Sequence, residues 1–162
     1  MVIVFMGAAG AGKTTVGRHL SEALQWKFVE GDTLHSSGNI AKMASGTPLT
    51  DEDRRPWLQA LRKLITASVD ANADLVLAAS LLIRAYRTTV FAGYERQVKL
   101  VYLRASAALL RERLTTRTDH FAGAALLDSQ LALLDEPADA LVMDASEAPD
   151  RLVQAIRSAL KV

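Results

Sequence analysis

The sequence predicts an α/β fold of three layers around a five-stranded parallel sheet, on three observations. Short, apolar, β-branched runs alternate with amphipathic helical stretches, the pattern of strands joined by crossover helices. The first run passes directly into Gly7-Ala8-Ala9-Gly10-Ala11-Gly12-Lys13-Thr14, which satisfies G-x-x-x-x-G-K-[ST]. With 162 residues, 50% of them hydrophobic, the chain is long enough for one domain with a sizeable core.

Val2 to Met6 reads as a buried first strand; a glycine loop comes at once after it and no basic stretch precedes, unlike a signal peptide. Thr14 to Leu24 is a helix with Val16, Leu20, Ala23 and Leu24 on one face. Trp26 to Val29 is a second strand, ending at Glu30-Gly31-Asp32. Residues 33 to 49 are polar and glycine-dotted, with Gly38, Gly46 and Pro48 as breakers, and no regular element is assigned to them. Trp57, Leu58, Leu61, Leu64, Ile65 and Val69 then recur at helical spacing. Thr50-x-x-Asp53 has the form of a capping box. Pro56, however, belongs in a first helical turn, so Asp53 is the preferred cap.

Leu75 to Ala79 is the third strand, ending at Ser80, and residues 81 to 91 are expected to be helical. Val98 to Leu103 is the fourth strand, and Ser106 caps a helix through about Arg117. Thr118 to Gly123 is a short polar stretch before a helix through Leu134. Ala140 to Met143 is the fifth strand and Asp150 to Leu160 the closing helix. In open parallel sheets ligands bind beyond the carboxyl ends of the strands, where Gly7, Asp32 and Ser80 all fall.

Composition narrows the function. Nineteen basic against 18 acidic residues, net charge +1, give no reason to expect nucleic acid or an anionic membrane as partner. The absence of cysteine excludes disulfides, thiolate chemistry and Cys-based metal sites. No apolar run approaches the ~20 residues of a membrane span. A cytoplasmic enzyme is the simplest reading.

The glycine loop carries the chemistry. Its backbone N–H groups and the start of the adjoining helix present positive charge to phosphate oxygens. Lys13 is placed to reach the β- and γ-phosphates of ATP, and the Thr14 hydroxyl to ligate Mg²⁺. Gly7, Gly10 and Gly12 allow the wrap, and Ala8, Ala9 and Ala11 keep it narrow. Thr15 belongs to the same nucleotide-binding turn. Asp32 is a candidate base for an acceptor hydroxyl or a holder of a metal-bound water. The bland alternative is a turn aspartate bonded to its own backbone.

Residues 31 to 58, GDTLHSSGNIAKMASGTPLTDEDRRPWL, resemble the gluconokinase family pattern G-D-x-L-H, N-x-x-K-M-x-x-G-x-P-L and D-x-D-R-x-P-W-L. Thr116-Arg117-Thr118-Asp119-His120-Phe121 is similar to that family's lid, and Leu126 to Gln130 and Glu136-Pro137 match the family's segment after the lid. The resemblance implies the P-loop small-kinase fold shared with shikimate kinase, as a single domain. Within it lie a helical substrate-binding segment at about 33–70 and a lid at about 117–124. It also implies ATP-dependent phosphorylation of D-gluconate to 6-phosphogluconate, often by a homodimer.

The matched residues carry a physical reading beside the implied one. Arg54 offers a two-point fork for a carboxylate, or pairs with Asp51 or Asp53 at the surface. His35, Asn39 and Lys42 suit a polyhydroxylated acid, or stabilise their own loop. Trp57 is a core residue or a ligand platform, Met43 a core residue. Arg113 and Arg117 share a helix face and suit ATP phosphates or adenine, with Arg117 a catalytic candidate; Arg111 points elsewhere. His120 is read for lid closure or acceptor binding, and Gln130 reaches the acceptor or lies at the surface. Ser80 completes the expected substrate set. The chain departs from the family pattern at Ile83, where lysine is usual, and at Phe91, which replaces a basic residue. Kinases for another sugar acid, polyol or sugar, and a non-catalytic nucleotide-binding regulator, are the alternatives.

Overall fold

The computed structural model describes residues 1–116 and 121–162, with the side chains of 121–125 left aside. Five parallel strands, β1 (Val2–Met6), β2 (Lys27–Glu30), β3 (Leu75–Ala78), β4 (Val98–Arg104) and β5 (Leu141–Asp144), lie in the order β2-β3-β1-β4-β5. Val2 stands opposite both Leu75 and Val98, which places β1 at the centre.

The strand period of two divides β1 between two cores. Ile3 and Phe5 join Val16 and Leu20 of α1 (Lys13–Leu24), Leu110 of α5 (Ala107–Thr115), and Leu152 and Ile156 of α7 (Pro149–Leu160). Val2 and Val4 point the other way, to Trp57, Leu61 and Ile65 of α3 (Asp51–Asp70) and Val90 of α4 (Arg84–Phe91). Every residue of β1 is buried, as expected for a strand covered on both faces. Two further helices, α2 (Ser37–Ala44) and α6 (Phe121–Ala132), contribute Met43 and Gln130 respectively to the wall of one cavity.

Four expectations are corrected. Residues 33 to 49 contain α2, because the Ser36 hydroxyl accepts the Asn39 N–H and starts a helix that Gly38 does not break. Thr50, not Asp53, caps α3: its hydroxyl accepts the Asp53 N–H while the Asp53 carboxylate accepts the Thr50 N–H. That reciprocal pair moves Pro56 inside the helix, at the cost of one intrahelical hydrogen bond.

Residues 81 to 83 precede the helix, which begins at Arg84. The Leu81 and Leu82 carbonyls accept from the buried Arg87 guanidinium at 2.9 and 2.8 Å, and Leu82 O also accepts from Asp135 N. Finally, α6 begins at Phe121, so Phe121 to Gly123 are helical. Alanines flank Gly123 on both sides, and a single glycine among strong helix formers does not stop a helix. Other boundaries shift by one or two residues.

Candidate active site

The phosphate loop joins β1 to α1. Gly12 caps α1 with φ 93° and no side-chain cap, leaving the first helical N–H groups open to an anion. Lys13 is buried and its ammonium donates to the Gly7 and Ala8 carbonyls at 2.9 and 3.2 Å, folded back over the loop. The Thr14 hydroxyl donates to Glu30 Oε2 at 2.5 Å. A hydroxyl and a carboxylate meeting at the loop's end are hard oxygen donors of the kind Mg²⁺ takes. Among the described residues no cluster of three or more His, Cys, Asp or Glu could cage a metal. Gly10, Gly12, Thr15, Arg113 and Glu147 line a cavity alongside the loop. Arg113 is held there by donation to the Ala145 carbonyl at 2.7 Å and, more weakly, to Gly10 O at 3.4 Å.

A second cavity opens beyond the ends of β2 and β3. Asp32 sits at its floor, in the short 3₁₀ turn Gly31–Leu34. Its carboxylate accepts from Ser80 N at 3.0 Å and from the Ser80 hydroxyl at 2.9 Å, so it is tied to the end of β3 rather than to its own turn. Gly31 makes this approach possible: a Cβ there would stand 2.8 Å from the Ala78 carbonyl. Trp57 donates its indole N–H to Gly31 O at 2.8 Å and stacks on His35, ring centroids 4.4 Å apart. Trp57 is thus both core and cavity wall. Burial pushes the His35 imidazole below its ordinary pKa and the Arg54 guanidinium adds to this; Asp32 opposes both. His35 is therefore neutral near pH 7.

Arg54, His35, Ser80, Trp57 and Gln130 line this cavity with Asp32. Gln130 reaches across the fold: its side-chain oxygen accepts the Ala9 N–H at 2.7 Å, linking α6 to the phosphate loop. Because Ala9 N is a donor, the Gln130 oxygen must face it, and the amide nitrogen is the end left toward the cavity.

Asn39 and Lys42 are engaged within the protein. Asn39 donates to the Asp53 carbonyl at 2.6 Å, and Lys42 donates to both Asp53 carboxylate oxygens at 2.8 and 2.9 Å. The Lys42 ammonium first, then the Thr50 N–H, lower the Asp53 carboxyl to about 2. Met43, expected in the core, lines the cavity, and so does Ile83. Phe91 packs against the α3 core. Arg111 pairs with Asp128 at 2.8 Å. Arg117 and His120 lie outside the described residues, as does the first half of the expected lid.

Sequence reading passed over Glu30 and Tyr86. Glu30 stands beside Gly31-Asp32, and a carboxylate at a strand end facing the loop threonine is a signal within reach. Tyr86 lies in the cavity wall, on α4, with no local cue to its partners.

The comparisons with known proteins agree with this geometry. A family model described as an AAA domain matches residues 2–137. A gluconokinase of Gluconobacter oxydans (strain 621H) is 43% identical over 137 residues, covering 85% of this chain and 76% of the relative. The crystal structure of a gluconokinase from Sinorhizobium meliloti 1021 superposes with TM-score 0.87 at 35% identity, covering 99% of this chain and 91% of that one. An unliganded sugar kinase from Janibacter sp. HTCC2649 gives TM-score 0.90 at 36% identity, covering 99% and 94%.

Proposed function

From the premise that the chain belongs to the gluconokinase family of P-loop kinases, we propose that it transfers the γ-phosphoryl group of ATP to the C6 hydroxyl of D-gluconate. The observation that carries this reading is the Asp32 carboxylate, fixed by Ser80 in a cavity that Arg54 and Gln130 also line, with Gln130 bonded to the phosphate loop at Ala9.

The loop N–H groups and Lys13 cradle the triphosphate, and Lys13 exchanges its loop carbonyls for phosphate oxygens as nucleotide enters. Arg113, with Thr15, lines the nucleotide side, and Arg117 is assigned to the phosphates through the resemblance of its motif to the family lid, as His120 is to closure. Thr14 would hold Mg²⁺, with Glu30 and Asp32 receiving its bound waters. Bound there, the cation would neutralise phosphate charge.

On the acceptor side Arg54 takes the carboxylate as a two-point fork. The neutral His35, Ser80 and the Gln130 amide address hydroxyls, and Asp32 accepts the proton of the attacking hydroxyl as its oxygen bonds the γ-phosphorus and the bond from that phosphorus to ADP breaks. Asn39 and Lys42 hold the substrate segment, about 33–70, through Asp53. The proposal also carries a cytoplasmic location and a homodimer; among the described residues no helix is long and apolar enough to cross a membrane.

The test is ADP release with ATP, Mg²⁺ and a panel of sugar acids, polyols, sugars and nucleosides. Gluconate should give the highest kcat/KM. A polyol or neutral sugar outranking it would refute the assignment.

A further inference from the structure

Arg54 is the fourth residue of α3, on a long side chain free to lie along its own helix. Its nearest carboxylate, Asp51, is 3.8 Å away and 84% exposed, so charge alone fixes it weakly. What orients it comes from another element. Tyr86 of α4 places its ring beneath the guanidinium, 5.8 Å from Cζ to the ring centroid, and its hydroxyl oxygen 3.4 Å from Nη1. A phenol has one proton to give. Here it goes to Asp51 Oδ1, so the hydroxyl oxygen is left to accept from Arg54. Burial and the Asp51 carboxylate both raise the Tyr86 pKa, which keeps that proton in place. The bond directions are then set: Arg54 donates to Tyr86, and Tyr86 donates to Asp51.

This arrangement engages one edge of the guanidinium. Among the described residues no hydrogen bond is made by Arg54 Nη2 or Nε, and Arg54 and Tyr86 both line the acceptor cavity. We infer that Tyr86, held by Asp51, is a positioning residue that aims the open fork of Arg54 at the carboxylate of the acceptor. The identity of that carboxylate rests on the gluconate reading above; the strut itself does not.

Tyr86→Phe keeps the ring under the guanidinium and removes only the hydroxyl. The gluconate KM should rise about three- to tenfold, less than the loss of a direct charge-assisted hydrogen bond because Arg54 itself remains, with kcat within about twofold and the ATP KM unchanged. In an Arg54→Met background the same change should alter gluconate kcat/KM by less than about twofold, because the group it acts through is gone.

Orientation is also readable without substrate, from the Arg54 Nε–H resonance of ¹⁵N-labelled protein, assigned by its loss in Arg54→Lys. Native protein should give one sharp signal, and Tyr86→Phe a broadened or rapidly exchanging one. Asp51→Ala, at an exposed position, should do the same to a smaller degree. A folded Tyr86→Phe protein with the gluconate KM and the Arg54 signal both unmoved overturns the inference. So does a parallel change in kcat and ATP KM, which marks a merely structural tyrosine. If native protein leaves gluconate unphosphorylated, the functional reading fails and the resonance alone decides the strut.

Discussion

Replacing Asp32 by asparagine should leave the protein folded and remove most of its turnover. The Asp32 carboxylate accepts two hydrogen bonds, from the Ser80 N–H and the Ser80 hydroxyl. The asparagine oxygen keeps the first, and the hydroxyl can reverse to accept from the new amide. Stability should therefore change by less than about 1 kcal/mol. What the amide cannot do is take a proton or face a cation with negative charge. A positioned general base is worth ~10² to 10⁴ in rate, or roughly 3 to 5.5 kcal/mol of barrier at about 1.4 kcal/mol per tenfold. The loss should fall on kcat, while the ATP KM stays within about threefold, because Lys13 and the loop N–H groups that hold nucleotide are untouched. A coupled ADP-release assay at saturating gluconate, beside a thermal melt, measures both. A fall in kcat of less than about threefold in a folded mutant would refute the catalytic role and return Asp32 to a strand-end tether.

Three further predictions concern the same end of the molecule. Arg87→Met should cost about 2 to 4 kcal/mol in urea unfolding, because the buried guanidinium serves the Leu81, Leu82 and Asp135 carbonyls and methionine serves none; a cost under about 1 kcal/mol would show that water replaces it freely. His35 has its folded pKa held below 6.5 by burial, so its neutral form contributes stability that is full above pH 6.5 and is lost as pH falls toward the folded value, where the unfolded chain takes a proton the native state refuses. The melting temperature should drop as pH falls below about 6.5, and drop less in His35→Gln; equal slopes would refute it. Ile83 lines the acceptor cavity at the head of α4, so Ile83→Lys should lower the gluconate KM by about 10- to 150-fold, the range of a charge-assisted hydrogen bond of ~1.5 to 3 kcal/mol, with ATP KM unchanged; unmoved gluconate kinetics would make Ile83 a packing residue.

The legible parts of this molecule are those whose cause is local. The five strands are short runs, each with at least one valine, and the phosphate loop is a contiguous pattern whose glycines and lysine each have one use. The reading fails where two local rules compete. Thr50 and Asp53 are both good caps, and only the reciprocal hydrogen bonds decide for Thr50. At α2 the glycines argue against a helix, while the Ser36 cap and the anchorage of Asn39 on Asp53 argue for one, and that anchorage comes from a neighbouring helix. Residues 81 to 83 are drawn out by Arg87 and by Asp135, which no window of a dozen residues contains. The same reason hides the supporting cast of the site. Gln130 meets Ala9 across 121 positions and Tyr86 meets Arg54 across 32, so their partners come from the sheet order rather than from spacing.

The central claim is a chemical one, and ³¹P NMR of a mixture of the protein, ATP, Mg²⁺ and D-gluconate tests it directly. The account predicts stoichiometric growth of ADP and of one phosphomonoester signal, split into a triplet by the two protons on C6, with no inorganic phosphate beyond that of a gluconate-free control. A doublet from a secondary position, or release of inorganic phosphate with no sugar ester, would contradict it.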